Sequence, residues 1–174
     1  MLVPQNFEAK IGFSTLRDLL EQLCLSALGR QYVAKMQFIT DHEQLSKLLA
    51  QTDEFTQLLN SGADFPGAHY HDVRVHLKRA SLPGAYLDVA AFFEVKMSLR
   101  TIREALTFFT NAAANLYPTL RLLGIGIQAD RNLLAAMDRV VDDEGQVRDD
   151  ASPLLRQIRQ ELIQRQGQLR KQLA

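Results

Sequence analysis

The strongest constraint in this sequence is a run of apolar residues, between residues 87 and 109, that recur at spacings of three and four. The positions are Phe92, Val95, Leu99, Ile102, Leu106 and Phe109. This period places one apolar stripe along an α-helix and does not fit the alternation of a β-strand. We therefore predict a long helix from Leu87 to Phe109 that packs its stripe against other helices.

The composition of the rest of the chain favours the same class of fold. Hydrophobic residues make up 47% of the 174 residues, charged residues make up 23%, and Trp is absent. Because the apolar residues are mostly Leu and Ala, they favour helices over sheets. We predict an all-α fold, an irregular multi-helix bundle with a long C-terminal helix. The only β-structure that we expect is one small hairpin near 140–148, where Val140 and Val141 on one side and Val147 on the other flank a polar turn.

Several helix starts are indicated by side chains that can accept a hydrogen bond from a first-turn N–H. Thr40 and Glu43 have the form of a capping box, in which each side chain bonds the other residue's backbone N–H. The segment from Met1 to Gly12 shows no helical period and predicts a loop. The other predicted N-caps are Ser14, Ser26, Asp130 and Ser152, and the prolines expected in a first helical turn are Pro118 and Pro153.

The last predicted helix starts after Ser152 and runs to the end of the sequence. Its apolar stripe comprises Leu154, Leu155, Ile158, Leu162, Leu169 and Leu173. Because no Gly or Pro stop signal follows, we expect an N-terminal fragment of a longer protein, cut within a long arm of coiled-coil character. We accordingly predict a helical core domain over 1–150 and the start of the arm over 151–174.

Charge and cysteine usage exclude some classes of protein. Twenty basic and twenty acidic side chains cancel, so no net field draws the chain to nucleic acid or anionic lipid. The single cysteine, Cys24, lies between Leu23 and Leu25, and we expect it to be buried in a protein of a reducing compartment, the cytoplasm. The sequence shows neither a signal peptide nor an apolar run of about 18 residues, so we predict no membrane partner.

One cluster of possible metal ligands lies in the middle of the sequence: His69, His71, Asp72 and His76. Two imidazoles and a carboxylate can hold zinc or iron. However, His71 and His76 are five residues apart and diverge on a helix. We therefore favour a surface loop over a metal site.

The other candidate sites are also better explained as structure. The acidic run Asp142–Glu144 lacks the rest of a calcium loop and indicates a solvated turn. Gly124 and Gly126 lack the third glycine and the preceding strand of a dinucleotide site. Cys24 has no neighbouring base, and the basic residues within Arg148–Lys171 are spread around a helix with Gln and Glu, as on a solvated face. We predict no catalytic, cofactor-binding or metal-binding residue in this chain.

A succession of short motifs runs along the chain in a specific order. The run that precedes the last helix, Asp149 with Ala151, Ser152 and Pro153, is the most specific of them. The other positions are Phe7, Glu8, Ile11, Gly12, Phe13, Leu16, Leu20, Cys24, Leu25, Ser26, Leu28, Gly29, Thr40, Leu48, Leu49, Thr52, Glu54, Phe65, Pro66, Asp72, Val73, Arg74, Leu77, Gly84, Gly145, Val147, Leu155, Ile158 and Arg159. This succession resembles one family, the MutS-like DNA mismatch repair and recombination ATPases of the second, Smr-containing type.

The resemblance implies that this chain is the N-terminal core and the start of the lever that, in MutS-like proteins, joins a DNA-gripping clamp to an ABC-type ATPase. The full-length protein would be a homodimeric DNA-dependent ATPase that uses ATP and Mg²⁺, acts on DNA or ribosomes through its clamp, and can carry a Smr nuclease domain. The fragment itself would be no enzyme and hold no cofactor. No functional residue carries over, because the phosphate loop, the clamp tip and the Smr segment fall outside this sequence.

Within this interpretation, we expect the stripe from Phe92 to Phe109 to anchor the root of the last helix at Ser152. Two other classes remain open. The chain could be a free-standing helical interaction or dimerisation module that uses Leu162, Leu169 and Leu173, or a small metalloenzyme built on the histidine cluster.

Overall fold

The computed structural model describes residues 7–111 and 115–173, and this part of the chain forms nine helices. They are α1 (Phe7–Lys10), α2 (Phe13–Leu23), α3 (Ala27–Ala34), α4 (His42–Asn60), α5 (Arg74–Ala80), α6 (Val89–Thr110), α7 (Pro118–Leu122), α8 (Arg131–Val140) and α9 (Pro153–Leu173). Among these residues β-type pairing is limited to one antiparallel bridge between Val141 and Val147, at the predicted hairpin. The all-α prediction is confirmed.

The described residues separate into two compact units. Those of Met1–Asp72 and Thr101–Ile127 form the first unit, and those of Val73–Arg100 and Gln128–Ala174 form the second. Helix α6 is continuous and contributes residues to both. The division into a body over 1–150 and an arm over 151–174 stays a prediction. Across the described residues, no helix combines the length and the apolar character that a membrane crossing needs.

The core of the first unit lies where α4 packs against α7. Leu58 is fully buried, and Tyr117 and Leu120 are nearly so. Phe65, in the loop after α4, packs against them with its ring centroid 5.3 Å from that of Phe108 in an edge-on arrangement. Aromatic pairs in this geometry add to the stabilisation that burial provides. The loop is thereby fixed between two helices.

A buried carboxylate also joins α4 to α7. Glu54 is 9% exposed, and its carboxylate accepts hydrogen bonds from the backbone N–H of Thr119, at 3.0 Å, and of Leu120, at 2.9 Å. These N–H groups belong to the first turn of α7 and have no partner within the helix. Burial raises the pKa of Glu54, but the hydrogen bonds from Leu120 and Thr119 outweigh it, so the pKa lies below its ordinary value.

The N-terminal helices of the first unit pack through Arg17 and leave many leucines exposed. The Arg17 guanidinium donates to the Met36 carbonyl at 3.1 Å and lies 2.8 Å from the Glu8 carboxylate. Leu23 and Leu25 are 77% and 86% exposed. Cys24, which we expected to be buried between them, is only half-buried at the end of α2 and donates to the Leu20 carbonyl.

The core of the second unit is small and lies between α6, α8 and the turn after α8. Its buried apolar side chains are Ala91, Met97, Leu134, Met137 and Val141. Lys96 of α6 is buried among the same elements, and its side chain is 0% exposed. The predicted stripe on α6 is mostly half-buried, and Ile102 is 45% exposed. The buried residues of α6 are Ala91, Lys96, Met97, Ser98 and Thr101, and none of them belongs to the predicted stripe.

The predicted N-caps Ser26, Asp130 and Ser152 are confirmed, and α7 and α9 begin at Pro118 and Pro153. Other helix starts were wrong. Asp41, not Thr40, caps α4, because its carboxylate accepts from the N–H of Glu43 and Gln44 and is favoured by the positive end of the helix. Gly12, not Ser14, precedes α2. Helix α1 occupies part of the predicted N-terminal loop, of which residues 1–6 lie outside the described part.

Candidate functional site

The least expected feature of the second unit is the environment of Lys96. Its side-chain nitrogen donates to the backbone carbonyls of Val141, at 2.7 Å, and Asp142, at 2.9 Å. The same nitrogen lies 2.9 Å from the Asp138 carboxylate and 3.3 Å from that of Asp143. An ammonium group without such partners would be very costly to bury. These groups, together with Arg100, are called the Lys96 cluster below.

The position of the ammonium follows from the way α8 ends. Helix α8 ends at Val140, and the carbonyls that accept from Lys96 belong to the next two residues, Val141 and Asp142. The nearby C-terminal end of α8 carries the negative end of the helix dipole, which favours a cation. Lys96 extends to these residues from α6 and also pairs with Asp138 of α8, so its long side chain bridges the two helices. The cluster thus joins α6 to α8 and to the segment that follows it.

Arg100, one turn after Lys96, completes the cluster. Its guanidinium lies 2.8 Å from the carboxylates of both Asp138 and Asp143. Burial raises the pKa of Asp138, but hydrogen bonds and charge from Lys96 and Arg100 outweigh it, and the net pKa is lowered. Hydrogen bonds from Arg100 and Lys96 lower the pKa of Asp143. Both carboxylates are therefore ionised at neutral pH and balance the two cations.

The turn after α8 is held by its own side chain as well as by the cluster. The Asp142 carboxylate accepts from the N–H of Glu144, at 3.0 Å, and of Gln146, at 2.8 Å. Gly145 adopts a positive φ of 78°, and its Cα faces the ring of Phe93 on α6. The acidic run Asp142–Glu144 thus builds a turn, in which the carboxylates of Asp142 and Asp143 bond to groups of the protein.

Further contacts connect this turn to the start of α9. The Arg148 side chain donates to the Asp138 carbonyl at 2.6 Å. The Arg159 guanidinium, on the second turn of α9, pairs with the Asp149 carboxylate and donates to the Val147 carbonyl. Ser152 caps α9 by accepting from the N–H of Leu155 at 3.1 Å. The root of α9 is therefore fixed to the same turn that the Lys96 cluster holds.

The histidine cluster is arranged differently from a metal site. The rings of His69 and His71 stack, with centroids 6.0 Å apart. His76 lies in α5, where its Nε2 is 3.0 Å from the Glu94 carboxylate on α6. Among the described residues, no group of three or more His, Cys, Asp or Glu side chains is placed to hold a metal ion.

The remaining candidates take part in local structure. Gly126 adopts a positive φ of 82° after α7, and Gly124 lies under Leu106 of α6, where an added Cβ would be 2.8 Å from a Leu106 methyl. Of the basic residues of α9, Arg156 pairs with Asp150 at 3.4 Å and Arg159 with Asp149.

Sequence reasoning missed Lys96, although its place between Val95 and Met97 within an apolar run was a weak signal for burial.

Comparison with curated proteins gives one consistent result. The chain is 30% identical to Endonuclease MutS2 of Exiguobacterium sibiricum and 29% identical to that of Symbiobacterium thermophilum, over 94% of its length in both cases. It is 27% identical to Endonuclease MutS2 of Alkaliphilus oremlandii, again over 94% of its length. The chain resembles MutS2-type proteins. The family resemblance predicted from the sequence is confirmed.

The MutS2-type match has a limited extent. The chain spans about one fifth of the length of these relatives, 20% to 21%. No protein-family model matches the chain. Within the MutS2-type resemblance, the most specific motif, Asp149 to Pro153, coincides with the root of α9 that the structure fixes through Arg159 and Ser152.

Proposed function

We propose that this chain is the body and the lever root of a MutS2-type protein, and that it couples an ATPase to a clamp that holds DNA. The observation that carries the proposal is the Lys96 cluster, because it binds α6 to the end of α8 and to the turn from which α9 starts. Helix α9 has 21 residues and is therefore about 30 Å long. A helix of this length that is fixed at its root moves with its support and acts as a lever.

The remaining activities belong to the four fifths of a MutS2-type protein that this chain does not match. ATP and Mg²⁺ would bind to an ATPase domain there, and DNA or a ribosome would bind to the clamp. The relatives are named endonucleases, and nuclease activity would also reside in that unmatched part. The proposal places the whole protein in the cytoplasm as a homodimer.

Exposed apolar surface in the first unit supports a body on which further segments of the whole protein pack. An open groove of about 1790 Å³ lies between the N-terminal helices and α4, and its lining includes Phe13, Phe38 and Leu49. Phe38 is 65% exposed. Soluble monomers rarely leave large contiguous apolar surfaces uncovered. In the proposed protein, the rest of the polypeptide covers this groove.

The first test is the reading frame beyond codon 174. We expect it to continue and to encode a phosphate loop of the form Gly-x-x-x-x-Gly-Lys-Ser/Thr. A stop codon directly after Ala174 would overturn the proposal.

The second test uses the full-length protein with Lys96→Met or Arg100→Met. We expect ATP hydrolysis without DNA to persist, because the ATPase is not altered. Stimulation of hydrolysis by DNA should fall on the order of five-fold or more, which is the lower range of measured coupling between sites. Lys78→Met, on the exposed face of α5, is the matched control. Unchanged stimulation in both cluster variants would show that the cluster does not couple the two activities.

A free-standing helical interaction module is the second candidate function. Exposed leucines on α9, among them Leu162 and Leu169, favour it. The reading frame separates the two candidates, because only the lever needs an ATPase on the same chain.

A further inference from the structure

The attachment of α9 to the second unit consists mainly of polar contacts. None of the described residues 142–171 is buried, whereas Val141, directly before them, is 1% exposed. No Cα atom of α6 or α8 lies within 8 Å of one in α9. The apolar contacts in this stretch are made by half-buried residues such as Val147 and Gly145, which faces the ring of Phe93. Residues 142–151, which lead from the end of α8 to α9, are called the strap below.

Charged groups of α6 hold the first part of the strap. The side-chain nitrogen of Lys96 donates to the Asp142 carbonyl at 2.9 Å and lies 3.3 Å from the Asp143 carboxylate. The Arg100 guanidinium lies 2.8 Å from the same carboxylate. The Asp143 side chain is 70% exposed, so dissolved ions reach it and screen its two pairs. A segment with little apolar burial and exposed hydrogen bonds opens at a lower free-energy cost than the core helices do.

The same two cations have a second set of acceptors outside the strap. Lys96 lies 2.9 Å from the Asp138 carboxylate of α8 and donates to the Val141 carbonyl at 2.7 Å. Arg100 also lies 2.8 Å from the Asp138 carboxylate. A buried cation left without any partner would be costly. Because Asp138 and Val141 stay in place when the strap leaves, its opening leaves neither cation unpaired.

We propose that the strap is a latch, which opens locally and frees α9 to change direction while α6 and α8 stay packed together. In the closed latch, Asp143 binds Lys96 and Arg100, and the Arg148 side chain donates to the Asp138 carbonyl at 2.6 Å. In the open latch, these contacts are lost and the two cations keep the Asp138 carboxylate. The inference rests on the proposed function only for its consequence, because an open latch would disconnect a lever from its body.

The first experiment measures hydrogen exchange in the complete 174-residue chain at two salt concentrations. Raising NaCl from about 0.1 M to about 1 M shortens the Debye length from about 10 Å to about 3 Å. The protection factors of the Gln146 and Arg148 amides should fall at least about three-fold, and those of Met97 and Met137 in the core helices should change by less than about two-fold. Unchanged protection in the strap, or equal loss in the core helices, would overturn the proposal.

Two neighbouring carboxylates in the strap supply a matched pair of variants. Asp143→Asn removes the charge that pairs with Lys96 and Arg100, so it should lower the protection of the Gln146 amide at least about three-fold in about 0.1 M NaCl. A further rise in salt should then have little effect, because these pairs are already absent. Glu144→Gln, at an exposed position, should lower protection by less than about two-fold. Equal effects of the two variants would contradict the latch.

The second experiment asks whether α9 changes direction when the strap opens. Nitroxide labels are attached at Arg131→Cys in α8 and Gln168→Cys in α9, both exposed positions, in a chain that carries Cys24→Ala. Double electron–electron resonance should show one narrow distance distribution, to which Asp143→Asn adds a second, broader component and Glu144→Gln adds none. The same distribution in all three chains would show that α9 stays in place and would overturn the proposal. None of these outcomes bears on whether the reading frame encodes an ATPase.

Discussion

The side-chain nitrogen of Lys96 lies 2.7 Å from the carbonyl oxygen of Val141, which is 45 residues further along the chain. This hydrogen bond joins α6 to the residue that directly follows α8. It also places a positive charge where the C-terminal end of α8 offers negative partial charge. The two helices are thus joined by a polar contact inside a small apolar core, and removal of that contact should have a large effect.

We predict that Lys96→Met destabilises the chain by about 2–4 kcal/mol. Methionine fills similar space but leaves the carbonyls of Val141 and Asp142 without a donor, and each buried group left unpaired costs about 1–3 kcal/mol. Because Arg100 still pairs with Asp138, the loss of stability should be smaller than for a buried charge that is left without any partner. Urea unfolding followed by circular dichroism measures the change.

The control for this prediction is Lys78→Met in α5. Lys78 is exposed, so the free energy of unfolding should change by less than about 0.5 kcal/mol. If both lysine variants unfold at the same urea concentration, Lys96 contributes nothing beyond its volume.

We expect Phe65 to be the apolar side chain of the loop after α4 that contributes most to stability. Its ring centroid lies 5.8 Å from that of Phe55, 5.3 Å from that of Phe108 and 5.6 Å from that of Phe109. Phe65→Ala should cost about 2–4 kcal/mol, somewhat less than for a fully buried ring. Phe38→Ala, at a position that is 65% exposed, should cost less than about 1 kcal/mol. Thermal unfolding compares the two, and a larger loss at Phe38 would contradict the assigned core.

Two glycines should respond in opposite directions to the same substitution. Gly145 has a φ of 78°, which costs an alanine about 1–2 kcal/mol, so Gly145→Ala should destabilise the turn before α9. Gly167 lies within α9 with open space around its Cα, so Gly167→Ala should stabilise this helix by about 0.5–1 kcal/mol. Hydrogen exchange of the amides in residues 141–165 measures both effects. Equal shifts would refute the assigned backbone conformations.

Local signals in the sequence predicted much of the helical framework. The spacing of apolar residues located α6 to within two residues, and the acceptor side chains of Ser26, Asp130 and Ser152 located three helix starts. These features depend on residues within one or two turns of each other. The predicted α4 start was wrong by one residue because Thr40 and Asp41 are both good caps, and the Asp41 carboxylate accepts the first-turn N–H groups.

The two buried charges could not be predicted from the sequence. Glu54 finds its donors 65 and 66 residues away, at Thr119 and Leu120, and the acceptors of Lys96 lie 45 and 46 residues away. Lys and Glu are rarely buried unless they are paired, so the sequence alone favours exposure for both. Only the fold brings the partners together. Sequence patterns therefore locate the helices, whereas these charged contacts decide how the helices within each unit are joined.

The lowered pKa of Glu54 predicts a specific loss of stability in acid. Because its pKa is lower in the folded than in the unfolded chain, its contribution is complete above the unfolded value, near 4.5, and is lost as the pH falls through the folded value. Glu54→Gln removes the charge, so at pH 7 it should cost about 1.5–3 kcal/mol, the range for hydrogen bonds to charged groups. The difference between wild type and variant should shrink as the pH is lowered below 4.5. Urea titrations at several pH values measure it, and Glu104→Gln, at an exposed position, should leave stability at pH 7 nearly unchanged. A difference that stays constant from pH 7 to below pH 4 would show that the Glu54 carboxylate is not stabilised by its charge.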